Sequence, residues 1–135
     1  MPMENYFDLR LPQDEIRAIS SIGLAHLGDA VYELLVRAWL CSHGKATGKG
    51  LHRATVELVR AESQSARAEK ILPLLTEEET AVFRRGRNAH VNSIPHSASR
   101  GEYLRATALE CLLGYLYLNG QTQRINELFC RMMEE

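Results

Sequence analysis

Two segments of this chain, 22–41 and 103–118, are apolar on more than one helical face, which limits what it can fold into. The first carries Ile22, Leu24, Leu27, Val31, Leu34, Leu35, Val36, Trp39 and Leu40. The second carries Tyr103, Leu104, Leu109, Leu112, Leu113, Tyr115, Leu116, Tyr117 and Leu118. An ordinary surface helix shows one apolar stripe, so helices of this kind are expected to be covered on several sides. A chain of 135 residues favours a single domain and has few other elements to cover them. Either both helices are central in the core, or one also lines an interface with a second copy.

The remaining pattern is helical throughout. Short helices are expected over 13–19 and 121–133, and a polar one over 51–71. Thr76 with Glu79 and Ser99 with Glu102 each read as a capping box, opening helices over 76–89 and 99–118. No segment alternates apolar and polar residues as a half-buried strand does. Six helices and no strands give an all-α fold. The segment 88–101, rich in Ser, Asn, His and Pro, is the one sizeable expected loop.

Composition is that of an ordinary globular protein, 45% hydrophobic and 24% charged. Three cysteines with no CxxC argue against a disulfide framework or a zinc site and fit a reducing compartment. No stretch approaches the roughly 18 apolar residues of a membrane span. The first residues, MPMENYFDLR, lack the features of a signal peptide. The expectation is a soluble cytoplasmic protein with no membrane partner.

Both apolar helices break their own pattern with a carboxylate. Asp29 sits in LGDAVYELL behind Gly28, although a mid-helix glycine costs about 1 kcal/mol relative to alanine. Glu33 follows one turn later on the same face. Glu110 is the sole charge in ATALECLLGYLYL. If Asp29 and Glu110 face each other at about 4 Å, an effective dielectric of about 20 gives a repulsion of about 4 kcal/mol. A hard divalent cation such as Mg²⁺ reverses that sign and needs few protein carboxylates. The competing reading is internal ion pairing, with Arg37 or Arg105 as the partner.

Net charge is −1, from 16 basic and 17 acidic residues, so any nucleic-acid argument rests on local charge. Residues 81–105 supply it, with Arg84, Arg85, Arg87, Arg100 and Arg105 against Glu102 alone. Arginine suits bidentate phosphate recognition. Arg84, Arg85, Arg87 and Asn88 are candidate RNA-binding residues, with Gly86 allowing close backbone approach; the bland alternative is a solvated helix end complementing its own dipole.

LAHLGDAVYELLV resembles the signature helix of the ribonuclease III family, and ATALECLLGYLYLNG resembles that family's second acidic helix. GDAVYE, RRGRNA and the A-T-x-x-E-x-L-x-G-Y-L-Y-L run are most similar to its short branch, Mini-ribonuclease III, which lacks a double-stranded RNA-binding domain. The resemblance covers about residues 14–133, so one nuclease domain is expected over 1–135. It implies a homodimer of all-α endonuclease domains with the signature helix at the two-fold axis. It also implies cleavage of double-stranded RNA with Mg²⁺ (or Mn²⁺ in its place), leaving 5′-phosphate and 3′-hydroxyl ends. Maturation of 23S ribosomal RNA precursor, in a bacterial cytoplasm or a plastid stroma, follows from the same resemblance. By position, Asp29 and Glu110 are the catalytic, metal-binding carboxylates. The chain departs from full-length family members at Ala25 and Thr107, where acidic residues are usual. Two rival functions remain: a non-catalytic dimeric module binding structured RNA, and an all-α nucleotide phosphohydrolase.

Overall fold

A computed structural model describes residues 3–44, 48–89 and 99–134. Seven α-helices are present among them: α1 (Gln13–Arg17), α2 (Ser21–Ser42), α3 (Gly48–Val59), α4 (Ala61–Ile71), α5 (Glu77–Arg87), α6 (Arg100–Leu118) and α7 (Thr122–Met133). No strand occurs among the described residues. None of the helices is long and apolar enough to cross a membrane. Most of the expected 88–101 loop falls in 90–98, outside the described residues.

Both capping boxes form. Thr76 Oγ1 accepts from Glu79 N, and Thr76 N donates back to the Glu79 carboxylate. Ser99 and Glu102 do the same for α6. Ser20 caps α2 by accepting from Gly23 N at 3.0 Å.

The single helix expected over 51–71 is two helices, so the count is seven rather than six. Arg60, with φ −67° and ψ 154°, leaves the helical region and becomes the N-cap of α4. No glycine or proline marks the break. Side chains satisfy two carbonyls it exposes: Tyr32 Oη donates to Leu58 O at 2.9 Å, and Gln64 Nε2 donates to Val59 O at 2.6 Å. The break turns α4 so that Gln64, Ser65, Ala68 and Ile71 are buried.

Helix α6 is the central rod, packed against α2, α4, α5 and α7. Leu109, Leu112, Leu113 and Leu116 are fully buried along it. Helix α2 buries Leu24, Val31, Tyr32, Val36 and Leu40 but leaves Ile22 44% and Leu34 57% exposed. The two apolar helices therefore differ: one is covered nearly all round, while the other keeps apolar side chains in solvent.

Glycines set how closely the rods approach. A Cβ on Gly114 would lie 2.0 Å from Leu24 O, so this α6 position touches the α2 backbone directly. Gly86 plays the same part for α5, since a Cβ there would lie 2.7 Å from Cys111 Cβ and 3.0 Å from Ala108 Cα. The expectation that Gly86 opens the backbone to RNA is corrected accordingly: Gly86 is buried against α6.

Candidate active site

The α2–α6 crossing brings Asp29 and Glu110 together. Gly28, which looked costly in a helix interior, lets α2 lie directly on the α6 backbone at Glu110. The next residue along α2 is Asp29. Burial, then repulsion from Asp29 and a side-chain hydrogen bond with it, pushes the Glu110 carboxyl up to about 8. Gln64 acts in the opposite sense, its Nε2 donating to Glu110 Oε2 at 3.4 Å. Asp29 stands exposed beside the half-buried Glu110.

Neither carboxylate has a basic partner among the described residues. Arg37 pairs with Glu33 at 2.8 Å, one helical turn away. Arg105 Nη1 donates to Glu69 at 2.9 Å and to Ser65 Oγ at 2.7 Å. Arg67 Nη1 donates to Met132 O at 2.8 Å, which directs it toward α7. Ion pairing of Asp29 or Glu110 with Arg37 or Arg105, the competing expectation, does not occur.

Two adjacent carboxylates, one of them half-buried and with no cationic neighbour among the described residues, fit a hard divalent cation. A charge of +2 removes their mutual repulsion and offsets the desolvation of Glu110. Among the described residues, no group of three or more His, Cys, Asp or Glu side chains is poised to ligate a metal. A cation held by the Asp29–Glu110 pair would therefore retain waters or take phosphate oxygens, as Mg²⁺ commonly does.

The departures at Ala25 and Thr107 contribute no ligand. Ala25 is buried on α2. Thr107 is buried, and its hydroxyl donates to Tyr103 O at 3.0 Å within α6. Glu33 is committed to Arg37, and His26 is exposed on α2.

Arg84, Arg85 and Arg87 occupy the last turn of α5, with Asn88 as its C-cap. All four are exposed, and no ion pair engages the three arginines among the described residues. The acidic run 77–79 at the other end of α5 is structural: Glu78 accepts from Tyr115 Oη at 2.7 Å, and Glu79 completes the cap and binds Arg124. It offers no paired acids to a nucleotide phosphohydrolase.

Gln64 is the site residue that the sequence does not announce. It sits in a polar helix without periodic emphasis, and its reach to Glu110 depends on the unmarked break at Arg60.

The ribonuclease III domain family matches residues 23–121. A protein described as Mini-ribonuclease 3 from Symbiobacterium thermophilum is 46% identical over 105 residues, covering 78% of this chain and 81% of that one. Another Mini-ribonuclease 3, from Clostridium tetani, is 37% identical over 128 residues, covering 93% and 85%. A crystal structure of a Fusobacterium nucleatum protein superposes with a TM-score of 0.79 at 33% identity, covering 86% of this chain and 93% of that one. The chain belongs to the ribonuclease III family, in its Mini-ribonuclease 3 branch, and is an endoribonuclease.

Proposed function

We propose that this endoribonuclease cuts double-stranded RNA as a homodimer, with Asp29 and Glu110 of each protomer holding Mg²⁺, or Mn²⁺ in its place, at the scissile phosphate. The observation that carries this reading is the Asp29–Glu110 pair itself, which has no basic partner among the described residues.

A divalent cation held by Asp29 and Glu110 would supply water activation and charge stabilisation for hydrolysis to 5′-phosphate and 3′-hydroxyl ends. Exposed Asp29 is the carboxylate that incoming RNA meets first, and Glu110 anchors the site from the half-buried side. Glu110 must shed its proton to do so, which ties function to the alkaline side of its raised value of about 8 or to the arrival of positive charge. Arg84, Arg85, Arg87 and Asn88 hold the RNA backbone through phosphate contacts. Such contacts position a duplex without reading its sequence.

Ile22 and Leu34 leave apolar surface on α2, which supports a two-fold contact along that helix. The branch resemblance points to 23S ribosomal RNA precursor as substrate and to the cytoplasm as the place of action.

The direct test is incubation of purified Asp29→Asn protein with duplex RNA and Mg²⁺. Loss of cleavage with retained RNA binding supports the assignment; cleavage at the unmutated rate refutes it. Mapping 23S precursor ends in cells lacking the protein tests the substrate: unprocessed ends are expected, and normal ends overturn that part of the reading.

A further inference from the structure

Gln64 is 3% exposed, yet its amide reaches the Glu110 carboxylate. Its orientation is set by chemistry. Val59 O, at 2.6 Å, can only accept, so the amide nitrogen must face it. The same nitrogen reaches Glu110 Oε2 at 3.4 Å. Both amide hydrogens are thereby directed, and Oε1 is left buried with no partner among the described residues. A buried amide oxygen without a donor is costly and calls for an explanation.

The surroundings narrow the candidates. Ala25 has no polar side chain, and Thr107 is turned back on its own helix. Arg105 Nη1 is engaged with Ser65 and Glu69. Arg67 donates through Nη1 to Met132 O, although its buried Nε has no partner among the described residues and lies three residues along α4 from Gln64. Among the described residues, Asp29, which is acidic, and Gln64 act directly on the Glu110 carboxyl. The Tyr32 hydroxyl, which donates to Leu58 O, lies near enough to feel its charge.

We propose that Gln64 is a positioning residue of the cation site: its Nε2 steadies the Glu110 carboxylate, and its unpartnered Oε1 accepts a hydrogen bond from a water bound to the cation. This role rests on the reading of Asp29 and Glu110 as the cation's holders. It gives the site a neutral acceptor where further carboxylates are absent, so the cation keeps more of its charge for the phosphate. Outer-sphere partners of this kind typically change metal affinity by about 10–100-fold when removed.

The rival explanation is purely structural, since Gln64 also satisfies the exposed carbonyl at the end of α3. Two variants separate the roles. Gln64→Leu removes donor and acceptor. Gln64→Glu also removes the donor to Val59 but keeps an acceptor beside Glu110. Mn²⁺ binding to the RNA-free protein is measured by the loss of the free-ion electron paramagnetic resonance signal, with Asp29→Asn alongside.

The expected result is about tenfold weaker Mn²⁺ binding for Gln64→Leu, with Gln64→Glu binding at least as tightly as the unmutated protein. Equal affinities for the two variants overturn the proposal, because they share the lost cap. If Asp29→Asn binds Mn²⁺ undiminished, the cation reading of the pair fails and takes this role with it. If Asp29→Asn loses binding while Gln64→Leu does not, the Gln64 role alone fails. Should the Gln64 variants not fold, the unmutated protein still decides: Mg²⁺ titration must shift the Gln64 side-chain amide resonances in nuclear magnetic resonance spectra, and unmoved resonances overturn the proposal.

Discussion

A Cβ placed on Gly28 would lie 1.6 Å from the carbonyl oxygen of Glu110. The glycine before one acid thus touches the backbone of the other, and the site exists because two helices meet with nothing between them. Glu110 also stands four residues before Gly114, whose own absent Cβ would meet Leu24 O at 2.0 Å. Two bare contacts fix both the separation and the register of α2 on α6.

Gly28→Ala is therefore expected to cost more than an ordinary overpacked core. Overpacking typically costs about 1–3 kcal/mol, and here the obstacle is a main-chain carbonyl that cannot rotate aside. A loss of at least about 3 kcal/mol is expected in denaturant unfolding. Residual folded protein should cut poorly, because the carboxylates are forced apart. A Gly28→Ala protein with unchanged stability would show that the helices can separate freely.

A second stability prediction concerns Glu79 and Arg124, which meet through two bonds of 2.8 Å. Arg124 also reaches Leu74 O, so it ties α7 to the start of α5. Arg124→Ala leaves a buried carboxylate without its partner, and the expected cost is about 2–3 kcal/mol. The Arg124 guanidinium, with the Thr76 cap, holds the Glu79 carboxyl below its ordinary 4.5. A lowered value means this stabilisation is complete above pH 4.5 and is lost as the pH falls toward the folded value. Arg124→Ala should flatten that acid-side decline in thermal midpoints; an identical decline in both proteins would refute the coupling.

Much of this architecture is legible in the sequence, for reasons specific to each element. Thr76 with Glu79 and Ser99 with Glu102 announce helix starts because capping is local chemistry. Asp29 and Glu110 stand out because a charge in an apolar helix needs a compensating group. Their meeting is not local, and it became visible only through Gly28, whose packing role no single helix reveals. The break at Arg60 carries no glycine or proline; tertiary contacts at Leu58 and Val59 stabilise it. Gln64 was hidden for the same reason. A glycine among arginines suggests ligand approach, whereas the neighbours of Gly86 are Cys111 and Ala108.

Arg87→Ala tests the arginine end of α5. Each phosphate neutralised on duplex nucleic acid adds about 0.9 to the slope of log affinity against log salt. Removing one contact should weaken duplex binding most at low salt and lower the slope by about 1. The effect should be the same for duplexes of unrelated sequence, since phosphate contacts carry no sequence information. A salt series on the Asp29→Asn background, which is expected to bind without cutting, measures this, and an unchanged slope removes Arg87 from the interface.

The pH dependence of stability without metal should run opposite to that set by Glu79. Burial and Asp29 raise the folded value of Glu110 to about 8 from 4.5. Between those values the folded protein holds a proton that the unfolded chain has released, so stability falls as pH rises through this window. In EDTA, the thermal midpoint of the unmutated protein should drop from pH 5 toward pH 8, and Glu110→Gln should abolish most of that drop. Adding Mg²⁺ at pH 8 should restore the unmutated protein and leave Glu110→Gln nearly unmoved, because ligand stabilisation requires the ionised pair. Equal responses of the two proteins to Mg²⁺ would place the cation elsewhere on the molecule.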